Sequence, residues 1–193
     1  MFFFSFDDSS RDAIIIKLIS EWNNKSKKPL GRTTIQKLCY FAEAVGVPLG
    51  YNFTVYQYGP YSQELYAHID DMVSFDLIND MHSVNEKKTD SSSYSASEAA
   101  IYLLTSNEDV LSKTNEMILF LVEYFKNMTP RDLELYSTTH YYYAANKGFY
   151  QSLGEDDLRD LTIRNVVAAK KDKFKRHEIF ETYCSLLKIP QFK

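Results

Sequence analysis

The chain has little of what recognisable enzymes and secreted scaffolds require. Two cysteines in 193 residues, Cys39 and Cys184, cannot supply a disulfide framework or a cysteine-rich metal site. Both sit in apolar helical patterns and are read as buried thiols of a protein kept in a reducing cytoplasm. Six glycines and five prolines are too few for a turn-rich sandwich and favour helices. There is no phosphate-binding glycine loop, no Gly-x-Ser-x-Gly elbow and no His-x-x-x-His pair. Hydrolase and nucleotidase readings therefore lack a starting point, and no cofactor or metal is expected. No apolar run approaches the ~20 residues that a bilayer-spanning helix needs. The opening Met-Phe-Phe-Phe-Ser-Phe is too short for a signal peptide, and Asp7 and Asp8 interrupt it, so it is expected to pack on the domain or a partner. A net charge of −4 gives no general attraction to nucleic acid.

What is present is an ordinary globular share of hydrophobic residues, 45%, with fifteen tyrosines and thirteen phenylalanines. The length allows one sizeable core, or a core with a helical extension. A first helix is predicted after a cap at Asp8 or Ser9, with Ile14, Ile15, Leu18, Ile19 and Trp22 as its buried stripe. The polar segment NNKSKKP then links it onward. Its Lys25, Lys27 and Lys28 read as solvated, with a phosphate-binding patch as the other reading.

The stretch from Gly31 to Asp80 organises the rest. Ile35, Leu38, Ala42 and Val45 recur at helical spacing, and Gly46 suits the positive φ of a helix end. A second stripe comprises Tyr61, Leu65, Ile69, Met72 and Val73, with Pro60 expected in that helix's first turn. Between them YNFTVYQYG has strand composition. After the second helix, Phe75 to Ile78, a polar run and YSASEAAIYLL read as a hairpin with a returning strand. Helix, helix and hairpin describe a winged-helix-like core. The serine-rich loop over 86–95 would be its wing tip, with Lys87 and Lys88 near any phosphate backbone.

Downstream, a long helix is predicted from Ser106 or Asn107 to about Asn127. Thr129 and Pro130 open the next, with Leu133, Tyr136, His140 and Tyr143 along one side. A further helix begins near Glu155, and a last one carries Ile179, Phe180, Tyr183 and Leu187. The predicted fold is mainly α with a small β-hairpin: a winged-helix-like N-terminal core over 1–104 and a helical extension over 105–193 packing on it.

Several of these residues carry a family resemblance. Gln36-Lys37-Leu38-Cys39-Tyr40, Phe53 and Tyr56, Tyr58-Gly59-Pro60-Tyr61-Ser62, Leu65 and Leu77-Ile78 together resemble the Panacea (SocA-like antitoxin) family and the similar YwgA-like proteins. The run Leu133-Glu134-Leu135-Tyr136-Ser137-Thr138-Thr139-His140 is similar, more faintly, to the second half of such proteins. The resemblance covers roughly the first half of the chain. It implies an antitoxin-type role, binding and neutralising a toxin, in some relatives by presenting it to a protease.

The chemistry-bearing residues offer less. Glu64, His68 and Asp71 share one helix face, which reads as a solvated charged surface, with a base beside carboxylates or a set of metal ligands as the other readings. His140 sits in a tyrosine-rich helix and reads as a core or rim histidine rather than an acid–base group. The basic cluster Lys170, Lys171, Lys173, Lys175 and Arg176 reads as a solvated turn, or as a site for an acidic partner or a phosphate backbone. Tyr56, Tyr58, Gly59, Pro60, Tyr61 and Tyr66 are read as a partner-binding groove, with core packing as the other reading, because tyrosine buries large area at an interface at small entropic cost. The expectation is a cytoplasmic, non-enzymatic, antitoxin-like module that binds a protein partner. The alternative is a winged-helix DNA-binding regulator, which the acidic residues of the second helix oppose.

Overall fold

The computed structural model describes residues 8–81, 83–84 and 90–193. The opening phenylalanine cluster, Lys87 and Lys88 lie outside the described residues. The fold is mainly α with small antiparallel strand pairs, as the composition predicted. No helix among the described residues is long and apolar enough to cross a membrane. Two compact units divide the chain: Met1–Asn52 with Ser62–Met128, and Phe53–Tyr61 with Thr129–Lys193.

The first unit begins with α1 (Asp8–Lys25), α2 (Arg32–Ala44) and α3 (Gln63–Ser74). A long hairpin follows, in which β3 (Ile78–Asp80) and β4 (Ser83–Val84) return through β5 (Asp90–Ser91) and β6 (Tyr94–Ala96). This is the helix–helix–hairpin order of a winged helix. The unit closes with α4 (Ala100–Ser106) and α5 (Glu108–Phe125). The stripe predicted for α1 is buried, and Ala13 and Ile16 beside it are buried too. Trp22 adds its bulk there and donates its indole N–H to the Lys28 carbonyl at 2.9 Å, which satisfies the one polar atom it buries. Opposite lie Ile118, Leu121, Val122 and Phe125 of α5, with the Phe41 and Phe125 rings stacked 4.4 Å apart. Because α5 packs on α1, it belongs to this unit, and the units part after Met128 rather than at the expected 104.

Two local expectations are corrected. Pro60 is not in the first turn of α3: that helix starts at Gln63, and the Ser62 hydroxyl caps it by accepting the Leu65 N–H at 3.3 Å. Its start is set by α2. Buried Gln36 donates its amide to the Ser62 carbonyl at 3.0 Å and accepts the Ser62 N–H at 2.9 Å, as a neighbouring strand would. That grip holds Ser62 extended, so Pro60 and Tyr61 fall in a strand. The returning strand, in turn, is short. Only Tyr94–Ala96 pairs with β3, and Ala100–Ser106 is helical, consistent with its alanine and leucine content. The Tyr94 N–H donates to Leu30 and its carbonyl accepts from Asn23, which anchors the hairpin beside α1. Gly46 follows α2 at φ +87°, the conformation anticipated for a helix stop.

The second unit combines a small hairpin, β1 (Thr54–Tyr56) with β2 (Gly59–Tyr61), and three helices: α6 (Pro130–Phe149), α7 (Glu155–Lys170) and α8 (Arg176–Leu187). Thr129 and Asp132 form the capping box of α6, with Pro130 at its first position. Leu135, Ile163, Val166, Phe174 and Ile179 make the core, with Tyr142 packed against it. The face of α2–α3 and the surface of α6–α7 that these elements fix are where the candidate residues lie.

Candidate functional site

Five of the six residues predicted to bind a partner lie on the β1–β2 hairpin of the second unit. The turn at Gln57–Tyr58 is closed by Gly59 at φ +90°, a left-handed conformation that glycine adopts without strain. Gly59 and Pro60 are buried, because β2 packs on α6. Pro60 offers no N–H, so it fits at a strand position where none is needed. Tyr61 is half-buried, its ring 5.9 Å from that of Tyr56. Tyr56 and Tyr58 are the exposed members, 70% and 53% accessible.

An ion pair holds this tip in place. The Lys170 side chain, at the end of α7, is only 2% exposed and that of Glu134 on α6 only 3%, with Nζ and Oε1 2.9 Å apart. Lys170 Nζ also donates to the carbonyls of Tyr56 at 3.2 Å and Gln57 at 2.9 Å. Burial lowers the Lys170 pKa, and the bond to Glu134 opposes that shift. Lys173 binds the second oxygen of Glu134 at 2.6 Å and lies 4.8 Å over the Tyr58 ring, a cation–π contact. The turn is thus rigid at its backbone while its two rings face outward. Arg131 stabilises the same region by stacking on Phe174 at 4.7 Å and pairing with Glu178 at 2.9 Å.

The sixth residue, Tyr66, belongs to the first unit. It sits on α3, part-exposed, with the Arg32 guanidinium 5.0 Å over its ring. Arg32 also meets Asp70 at 3.2 Å and Asp80 at 3.6 Å. Tyr66 is therefore part of a charged and aromatic surface patch of that unit, and the predicted groove does not form within one unit.

The Glu64–His68–Asp71 face separates. Glu64 and Asp71 are exposed, whereas His68 is half-buried and engaged through both ring nitrogens. Nε2 meets Asp12 Oδ1 at 2.6 Å, and Nδ1 meets the hydroxyl of buried Tyr51. The Arg11 guanidinium lies 5.1 Å over that tyrosine ring. Burial pushes the Tyr51 phenol far above its ordinary range and the Cys39 thiol likewise, so neither ionises near neutrality. Burial also raises Glu43, which accepts the Tyr51 N–H at 2.5 Å. This network ties α1, α2 and α3 together through polar groups that sequence spacing did not connect. The Arg11-Asp12 pair at the start of the predicted first helix was the available signal.

Elsewhere the predicted residues are structural. His140 is buried against Phe192, their rings 5.5 Å apart, and desolvation drives its pKa down to about 4. Lys25 pairs with Glu21 at 3.5 Å, Lys28 bonds the Asn127 carbonyl, and Lys27 is exposed. Cys39 is buried and Cys184 half-buried. Among the described residues no cluster of three or more His, Cys, Asp or Glu side chains is arranged to hold a metal ion.

No known protein family's model matches the chain, and no curated protein matches it. A cleft of about 640 Å³ also opens in the second unit, where Tyr143, Tyr150, Phe180 and Tyr183 meet Lys147 and Lys188. Its Arg159 is neutralised by Asp156 at 2.6 Å and Asp160 at 3.2 Å.

Proposed function

We propose that the protein is a cytoplasmic, non-enzymatic interaction module that binds and neutralises a partner protein in the manner of an antitoxin. The observation that carries this reading is the pairing of an anchored hairpin backbone with two outward tyrosine rings. A contact surface gains affinity when its large aromatic side chains are already positioned, because little freedom remains to be lost on docking. Tyr56 and Tyr58 meet that description. The resemblance to the Panacea family, carried by residues that include this tyrosine-glycine-proline-tyrosine turn, supplies the antitoxin element and the toxin as the class of partner.

The competing reading is a winged-helix DNA-binding regulator, with α3 in the major groove. Exposed Glu64 and Asp71 on α3 weigh against it, since phosphates repel them. Mobility-shift titration at low salt tests that alternative, and retardation that weakens as salt is added would favour it over the interaction reading.

The direct test is co-expression with the product of the adjoining gene. The reading expects that product to be growth-inhibitory alone, tolerated beside this chain, and co-purified with it. A harmless neighbour that fails to co-purify counts against the antitoxin role.

A further inference from the structure

Resting on that interaction reading, we propose that the hairpin tip and the 170–176 segment form one surface, and that its occupant is an acidic segment of the partner in which carboxylates alternate with apolar side chains. Five of the seven residues from Lys170 to Arg176 are basic, in a chain whose net charge is −4. Two of the five are spoken for: Lys170 and Lys173 share the single carboxylate of Glu134. Lys171, Lys175 and Arg176 are exposed and have no ion-pair partner among the described residues. The segment abuts the hairpin directly, since Lys170 holds the Tyr56 and Gln57 carbonyls and Lys173 covers the Tyr58 ring.

The two chemistries of this surface select the occupant. Three unpaired cations ask for carboxylates, and the exposed rings of Tyr56 and Tyr58 ask for apolar or aromatic side chains between them. A positive patch on a negative molecule also orients an acidic partner, because the rest of the surface repels it. A nucleic-acid strand fits less well. Its evenly spaced phosphates call for a continuous cationic track, and here Asp172 interrupts the run and Glu178 follows it.

The experiment is fluorescence anisotropy with the full chain and a short fluorescein-labelled peptide alternating glutamate with leucine. The controls are its lysine–leucine counterpart and a single-stranded oligodeoxynucleotide of equal charge. Saturable binding of the acidic peptide is expected, weakening as salt rises. The Lys171→Glu/Lys175→Glu/Arg176→Glu variant should weaken it by about tenfold or more. This variant is expected to fold normally, because all three side chains are exposed and carboxylates suit the start of α8. A circular-dichroism melt checks that.

No saturable binding of the acidic peptide, binding indifferent to the charge reversals, or tighter binding of the oligonucleotide would each overturn the proposal. The two readings fail differently. If the adjoining-gene product is captured and lost on Tyr56→Ala/Tyr58→Ala but is unaffected by the charge reversals, the acidic occupant is wrong and the interaction module stands. If that product is not captured at all, the module reading falls with it.

Discussion

A single carboxylate, Glu134, pairs with two lysines, one through each oxygen, and through Lys170 holds the tip of a hairpin. Removing one partner of a buried ion pair leaves the other charge without compensation, at a cost of about 3–5 kcal/mol, whereas replacing both by apolar groups is often close to neutral. Glu134→Gln is therefore expected to destabilise the chain by about that amount. The Glu134→Met/Lys170→Met double variant should recover part of the loss, since it removes the buried charge but also leaves the Tyr56 and Gln57 carbonyls without Lys170, and urea unfolding midpoints compare them. Equal destabilisation of both variants would mean that packing, not charge, is what matters at this position. His140 gives a second prediction, in pH. Burial depresses its folded-state pKa to about 4 from 6.5, so between those values the unfolded chain binds a proton that the folded chain does not. Its contribution to stability is complete above pH 6.5, is lost as the pH falls through this window, and levels off below about 4. His140→Gln should flatten the slope of unfolding free energy against pH there by up to about 1.4 kcal/mol per pH unit. An unchanged slope would contradict the assigned burial.

At the scale of elements, the start of α3 depends on α2. Gln36 accepts the Ser62 N–H and donates to the Ser62 carbonyl, which also takes the Tyr66 N–H at 3.1 Å, so it is the N–H that loses its partner, and a buried group left unpaired costs about 1–3 kcal/mol. Gln36→Ala is expected to lower stability accordingly and to speed amide exchange at Ser62 and Leu65, as hydrogen-exchange NMR would record. Slow exchange retained at both amides would show that the cap stands without Gln36. This contact also explains what could be read from the residues alone. Thr129-Pro130 marked the start of α6 because a capping box is local, and Gly46 marked the end of α2 because a positive φ is a one-residue demand. Pro60 was misplaced because a proline suits both a first helical turn and a strand position without a ladder N–H. Only the tertiary grip of Gln36 decides between them. The Lys170–Glu134 pair was not legible at all: its members are far apart in sequence, and each looks like an ordinary charge on a surface helix. The same holds for Asp12, His68 and Tyr51, whose contact requires α1 and α3 to be assembled. Of the six residues predicted as the partner site, five are close in sequence and lie on one hairpin, whereas Tyr66 belongs to the other unit.

For the molecule as a whole, two units present different surfaces: a charged face on α2–α3 with Tyr66 under Arg32, and an aromatic tip beside the 170–176 segment, whose Lys171, Lys175 and Arg176 have no ion-pair partner among the described residues. The proposed function needs only the second to dock. Because Tyr56 and Tyr58 are exposed, replacing them should change stability by no more than about 0.5 kcal/mol each. Hot-spot tyrosines at the centre of an interface typically cost about 2 kcal/mol or more when truncated, roughly thirtyfold in affinity. The decisive measurement is isothermal titration of the adjoining-gene product into the wild-type chain and into the Tyr56→Ala/Tyr58→Ala variant, with thermal melts alongside. The interaction role predicts tight binding by the wild type and a loss of at least about thirtyfold in the variant at an unchanged melting temperature. Equal affinity for both chains, or no binding by the wild type, would contradict it.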